Sequence, residues 1–340
     1  MVDYLAFGAT GMRVSRLCLG TGQLGAWEGD AGARRAAADV LERARERGVN
    51  FFDTSEWYGN GRSEELLGDV LASCRGDVYI ATKVGLHLHQ GVGIRDSRPE
   101  RITEHIERAL KRLHTDYVDL YQIHWPDPEV PLEESWEAMC RVWRQGKTRY
   151  IGVSNYRAQD IARCLAVGPV HSLQACFHMF RRELAAADLP FCAAHGIGTM
   201  IWGPLAHGLL TGRYTREAPP ALPTDDWRAA MPIMQGEGFL RCADIIAQLR
   251  DFAERRGHTI TELALAWTLA QPGVTTVVTG ASSVAQLEAQ VGGASWTLSA
   301  DEVSAVAALL ASAPSWADLG GDPEYGGHHI FRRAERPVLR

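Results

Sequence analysis

The chain of 340 residues is 46% hydrophobic and 22% charged, with a net charge of −6, the balance of a globular protein whose core is large enough for one barrel-sized domain. A mildly acidic chain with no basic cluster argues against a nucleic-acid partner. No apolar run reaches the ~18 residues of a membrane span and the first residues form no leader segment, so no membrane partner and a cytoplasmic location are expected. Cys18, Cys74, Cys140, Cys164, Cys176, Cys192 and Cys242 are scattered, odd in number and free of C-x-x-C pairs, which argues against a disulfide framework and a zinc site.

Short β-branched or aromatic runs recur along the chain. Residues 16–19 form the first predicted strand, followed by Gly20-Thr21-Gly22-Gln23-Leu24-Gly25. Those glycines match the G-x-G-x-x-G dinucleotide fingerprint. However, residues 26–32 separate them from the next helix, and Asp53 lies later than the fingerprint's acidic residue should. Ala37, Val40, Leu41 and Ala44 then repeat at helical spacing up to Gly48. After the strand at 50–52, Ser63 is a candidate cap for a helix carrying Leu66, Leu67, Val70 and Leu71. A strand at 78–81 precedes a helix opened by Pro99, and a strand at 118–122 precedes one with an apolar stripe from Trp136 to Trp143, closed by Gly146. Further strands are expected at 150–153, 173–177, 199–202 and 274–278, with helices between and after them. Eight strands, each followed by helix, predict an α/β fold, a (β/α)8 TIM barrel with a parallel core; a doubly wound sheet is the rival.

Residues 1–313 read as this barrel. The segment from 205 to 238 is too long for a simple connection and reads as a functional loop. Residues 314–340, with Trp316, Tyr325, His328, His329 and Phe331, read as a tail that could cover the barrel mouth.

Barrel chemistry is carried at the C-terminal ends of strands. There the sequence puts Asp53, Lys83 and His124 on successive strands, with Tyr58 on the loop after Asp53. Reducing a carbonyl needs a proton donor as well as a hydride donor. A tyrosine of ordinary pKa ~10 is a reluctant acid, and a neighbouring ammonium eases release of its proton. In this reading Lys83 supplies that ammonium, Asp53 orients it and His124 hydrogen-bonds the carbonyl oxygen. Singly, each residue has a structural role as its simpler explanation; four together at adjacent strand ends do not.

The blocks Phe51-Phe52-Asp53-Thr54-Ser55-Glu56-Trp57-Tyr58-Gly59, Ala81-Thr82-Lys83-Val84-Gly85 and Asp119-Leu120-Tyr121-Gln122-Ile123-His124-Trp125-Pro126-Asp127 resemble the signature blocks of the aldo-keto reductases. The resemblance covers about residues 5–310. It implies the barrel, an Asp53–Tyr58–Lys83–His124 tetrad and an extended nicotinamide cofactor, NADP(H) ahead of NAD(H), bound without a Rossmann domain. It further implies that Ser154, Asn155 and Gln174 contact the nicotinamide carboxamide, with Thr21, Gly22 and Asp53 near the same end. Phe177 stands where the family usually stacks Tyr on the ring, and His178 where Asn is commoner.

Trp202-Gly203-Pro204-Leu205 through Arg213 resembles the loop that folds across the pyrophosphate, with Arg213 at the basic position. Gly280, Ser282 and Gln286 fall in the block that receives the adenosine 2′-phosphate, where Ser282 replaces a common Arg. Ala289-Gln290 replaces the usual Glu-Asn. Ser283 and Gln286 also fit a helix cap. Trp27, Trp57, His87 and Trp125 are candidates for the substrate pocket, and a small-molecule carbonyl is the expected partner. His87-x-His89 and His328-His329 lack a third ligand at convincing spacing, so no metal is expected. A glycosidase would need two flanking carboxylates, which the strand ends do not offer. The alternatives are a cofactor-bound regulatory partner like the potassium-channel β-subunits and, behind it, a Rossmann dehydrogenase.

Overall fold

Eight parallel strands close on themselves in the computed structural model, which describes residues 2–320 apart from 90, 91 and 225. They are β1 (Leu17–Gly20), β2 (Phe51–Asp53), β3 (Tyr79–Val84), β4 (Val118–Ile123), β5 (Thr148–Ser154), β6 (Ser172–Cys176), β7 (Gly198–Trp202) and β8 (Thr276–Gly280), with β8 pairing back onto β1. The helices between them are α1 (Ala31–Glu46), α2 (Arg62–Leu71), α3 (Pro99–Arg112), α4 (Leu132–Arg144), α5 (Ala158–Val167) and α6 (Asp188–Ala194). Two more, α7 (Gly236–Glu254) and α8 (Ile260–Leu269), join β7 to β8, and α9 (Val284–Ser295) and α10 (Ala300–Leu309) follow. The barrel is thus the predicted (β/α)8 fold. Closure rules out the doubly wound alternative and, with it, the Rossmann reading.

Strand alternation explains where the chemistry goes. Cys18, Phe51, Ala81, Leu120, Met200 and Val278 belong to one buried interior cluster. With a side-chain period of two, Gly20, Asp53, Lys83, Gln122, Trp202 and Gly280 follow on the same inward face, one layer nearer the C-terminal mouth. The outward residues pack against the helices in the larger core, where Ile123, Ile151, Leu173 and Val277 are almost wholly buried. Each such side chain contributes ~1.5–3 kcal/mol on burial.

Two hairpins interrupt the simple alternation, and neither was legible in the sequence. Tyr4–Ala6 pairs with Arg13–Ser15. Phe7, beside it, meets Phe51 edge-to-face at 5.6 Å and closes the N-terminal end of the interior cluster. Leu86–His89 pairs with Val92–Arg95 directly after β3.

The long segment after β7 holds short 3₁₀ turns at Ala206–Thr211, Trp227–Ala230 and Pro232–Met234 before α7 begins. Core packing also continues past residue 313: Trp316 and Leu319 are buried. Tyr325, His328, His329 and Phe331 lie outside the described residues. Among the described residues, no helix is long and apolar enough to cross a membrane, and all seven cysteines are free and buried.

Candidate active site

Asp53 is the last residue of β2, Lys83 lies one residue before the end of β3 and His124 follows β4. Neighbouring strands therefore bring all three to one corner of the mouth. Lys83 Nζ, fully buried, donates to Asp53 Oδ2 at 2.7 Å, to the Thr54 carbonyl at 3.0 Å and to Tyr58 Oη at 3.3 Å. The second carboxylate oxygen of Asp53 accepts from Gln174 Nε2 at 2.8 Å. His124 sets its ring edge-to-face with Tyr58, centroids 5.9 Å apart, and its Nδ1 pairs with Ser55 Oγ at 3.2 Å.

Burial raises the Tyr58 pKa above the ordinary phenol value, and Lys83 only partly pulls it back. Lys83 thus acts in the direction expected from the sequence, and desolvation outweighs it. Burial also pulls on the Lys83 ammonium, but Asp53 and Tyr58 together outweigh it, so Lys83 remains charged.

The turn carrying Tyr58 is held on three sides. Glycine is required where it meets the loop after β1. A Cβ on Gly59, which has φ +62°, would lie 2.1 Å from the Gly25 carbonyl oxygen, and one on Gly25 would lie 2.8 Å from that of Tyr58. The glycines that resembled a nucleotide fingerprint thus serve close backbone packing, and Gly22 lies against the face of the Tyr58 ring. Behind the turn, buried Glu56 pairs with Arg101, Arg108 and Arg112 of α3, and Arg112 also holds buried Glu64 at 2.8 Å. This network was missed. Its one available signal is the spacing of the three arginines, which puts them on a single helical face.

Ser63 does not cap α2; Gly61 stands at that position, and the buried Ser63 hydroxyl bonds to those of Thr21 and Thr54. Thr21 likewise donates its hydroxyl to the Asp53 carbonyl at 2.9 Å, so it braces the Asp53 backbone instead of offering that hydroxyl to a ligand.

Ser154 ends β5, and Asn155 follows in a left-handed conformation with φ 65°. Its amide nitrogen donates to the His124 carbonyl at 3.0 Å and to Ser154 Oγ at 3.1 Å, while its oxygen accepts from Trp202 Nε1 at 3.0 Å. Trp202, at the end of β7, stands edge-to-face with Trp125 at 6.4 Å. Phe177 corrects the expectation of a stacking residue: it is fully buried and lies parallel to Trp267 of α8 at 5.5 Å. The cause is again alternation, since inward-facing Gln174 and Cys176 leave Phe177 turned to the helix layer. Trp202, at the end of β7, faces the mouth instead.

The pocket candidates divide. Trp125 is buried beneath the Arg95 guanidinium, 5.4 Å from its ring, and joins the wall with Trp202. Trp57 is half-buried beside Tyr58, and half-buried His87 lies on the hairpin after β3. Trp27 instead stacks with Arg34 and Arg62, at 5.4 and 6.0 Å.

A groove of about 880 Å³ lies between the loop after β7 and the start of α9, lined among others by Gln23, Gly203, Pro204, Leu205, Arg213 and Gly280. Arg213 is exposed, whereas Arg228, which the sequence reading missed, is tied to Asp226 through bonds of 3.0 and 2.6 Å. At the far end Gln286 turns its side-chain oxygen onto Ser282, accepting from the backbone N–H at 2.9 Å and the hydroxyl at 3.0 Å. Gln290 is buried and bonded to Thr279 and the Gly280 carbonyl. The segment from 279 to 290 contains no Lys or Arg.

Residues 16–311 match the model of the Aldo/keto reductase family. The chain belongs to that family. It is 35% identical over 312 residues to the aldo-keto reductase YhdN of Bacillus subtilis, covering 91% of this chain and 94% of that protein. It is 33% identical over 304 residues to the NADH-specific methylglyoxal reductase of Escherichia coli, covering 84% of this chain and 92% of that one. The structure of the glycerol dehydrogenase AKR11B4 from Gluconobacter oxydans superposes with a TM-score of 0.85 at 31% identity, covering 92% of this chain and 96% of that one. The protein is an oxidoreductase of the aldo-keto reductase type, in a family that uses NAD(P)H and reduces carbonyl groups.

Proposed function

We propose that the protein reduces an aldehyde or ketone to an alcohol with Tyr58 as the proton donor. The observation that carries this reading is the triple bond set of buried Lys83, which ties Tyr58 Oη to Asp53 Oδ2 through one ammonium. As the carbonyl carbon gains a hydride its oxygen becomes an alkoxide and takes the Tyr58 proton. The phenolate that remains lies 3.3 Å from Lys83 Nζ, which stabilises it until solvent returns a proton. The His124 ring, edge-on to Tyr58, donates a hydrogen bond to the same oxygen and orients it. Asp53 fixes Lys83 through their 2.7 Å ion pair.

The residues present fit an extended dinucleotide. Polar side chains of Ser154, Asn155 and Gln174 converge near the tetrad, Trp202 offers a ring face at the mouth, and the groove opens between glycines at Gly203 and Gly280. When bound there, reduced nicotinamide supplies the hydride. Arg213 would pair with the pyrophosphate, and the N-terminus of α9 would face the adenosine end. The preference for NADP(H) expected from the family gains no support at that end, where Ser282 and Gln286 satisfy each other and no cation follows from β8. We therefore assign the site to either nicotinamide, with a preference of less than about tenfold, or ~1.4 kcal/mol.

Two of the relatives are named for methylglyoxal and glycerol, small oxygenated three-carbon compounds, so a substrate panel starts with these and extends to sugars and aromatic aldehydes. Oxidation of NADH and NADPH is followed against the panel for the wild type and Tyr58→Phe. The variant should lose about a hundred- to ten-thousand-fold in kcat while binding cofactor normally. Full activity in the variant overturns the role of Tyr58. Cofactor binding without turnover of any carbonyl would favour the regulatory-partner reading.

A further inference from the structure

Cys176, His178 and His207 offer one ligand atom each, all within 4.8 Å of one another. Two come from the end of β6 and the turn beyond it, and the third from the loop after β7 that lines the cofactor groove. No local C-x-x-C or H-x-x-x-H spacing announces them; barrel closure brings them together. Cys176 and His178 are buried. His178 Nε2 has no hydrogen-bond partner, although its ring is wholly buried and its Nδ1 accepts from the Phe180 N–H at 3.3 Å. An orphaned polar atom in such a place is unfavourable, and a cation held between a thiolate and two imidazoles would give His178 Nε2 a partner.

We infer that Cys176, His178 and His207 form a binding site for a zinc-type divalent metal, linking the end of β6 to the loop over the cofactor groove. The donor set of one sulfur and two nitrogens selects a borderline-soft ion; the hard cations magnesium and calcium need oxygen ligands that it lacks. Tetrahedral zinc holds such ligands roughly 3.5 Å apart, so binding draws the three together from their spacing of up to 4.8 Å.

Burial and the neighbouring His207 and Arg181 hold His178 well below its ordinary pKa, so it is an unprotonated base at neutral pH. Burial pushes the Cys176 thiol up, and the Arg181 hydrogen bond draws it back. Arg181 is the nearby cation opposing a metal; it also favours the thiolate that a metal requires. The balance on binding is one proton. The thiol proton leaves to solvent, while the His178 ring moves its single proton to Nδ1 and gives up the long bond from Phe180.

The test uses the full chain, stripped with a chelator and titrated with zinc alone, then with cobalt. One zinc per chain is expected, together with a near-ultraviolet thiolate-to-cobalt charge-transfer band. Cys176→Ala and His178→Asn should each weaken zinc binding at least tenfold, about 1.4 kcal/mol, with unchanged circular dichroism. Absence of the cobalt band in the wild type overturns the site without recourse to any variant. Full zinc stoichiometry in the double variant would place the metal elsewhere and also overturns it.

Discussion

The tetrad corner and the far end of the groove are built on opposite principles. At the Tyr58 end, side chains from β2, β3 and β6 bond across the barrel, and Lys83, Asp53 and Gln174 are all buried. At the Ser282 end, exposed side chains bond within one turn, Ser282 to Gln286 and Ser283 to the Gln286 N–H. A site whose members come from distant strands is pre-organised by the whole barrel, and losing one member leaves a buried charge unpaired. A site made within a single helix start is adjustable at little cost to the fold. Under the proposed function, reaction chemistry at the first end and cofactor choice at the second follow from that difference.

The sharpest way to break the contrast is Lys83→Met. It leaves Asp53 buried without its cation and should cost about 3–5 kcal/mol in chemical denaturation, along with a hundredfold or greater loss in kcat. A variant of wild-type stability would show that the buried end is no more coupled than the exposed one. Next comes Gly59→Ala, which places a methyl group 2.1 Å from the Gly25 carbonyl oxygen at a positive φ. A destabilisation of roughly 2–4 kcal/mol is expected, with kcat falling further than cofactor affinity because the Tyr58 turn must shift.

The pH dependence follows from the raised Tyr58 pKa. Reduction needs the phenol protonated, so its rate should be level through neutral pH and fall only as pH rises through that raised value. Oxidation of the alcohol needs the phenolate and should climb over the same range. Lys83 draws the Tyr58 pKa down, so residual oxidation in Lys83→Met should move its rise to higher pH still. An unmoved limb in that variant would assign the ionisation to another group. The smallest effect belongs to the exposed end: Ser282→Arg should raise the NADPH-to-NADH ratio of kcat/KM about tenfold, ~1.4 kcal/mol, with an unchanged melting temperature.

Much of this was legible in the residues themselves. The alternation of apolar strand runs with helical stripes foretold the barrel, because each element must bury one face and parallel strands bury two. Asp53, Lys83 and His124 were readable because a strand end fixes where a side chain projects. What could not be read were contacts that depend on closure. Phe177 matched a motif by position, but inward or outward direction turns on a single step of register, and it faces α8. The Gly20–Gly25 motif matched a dinucleotide fingerprint that its spacing argued against, but its actual use was hidden: Gly25 serves contact with Gly59, a partner far along the chain. Glu56 met three arginines of α3, and Cys176 met His207, only once the barrel brought their elements together.

The sequence by itself therefore determined the fold, the family and the four residues at the strand ends, since local periodicity and chain order suffice for these. Only the tertiary structure decided the net direction of the Tyr58 pKa, the turning of Phe177 and the gathering of Cys176, His178 and His207. Desolvation and through-space contact are properties of the closed barrel, and no stretch of chain carries them alone.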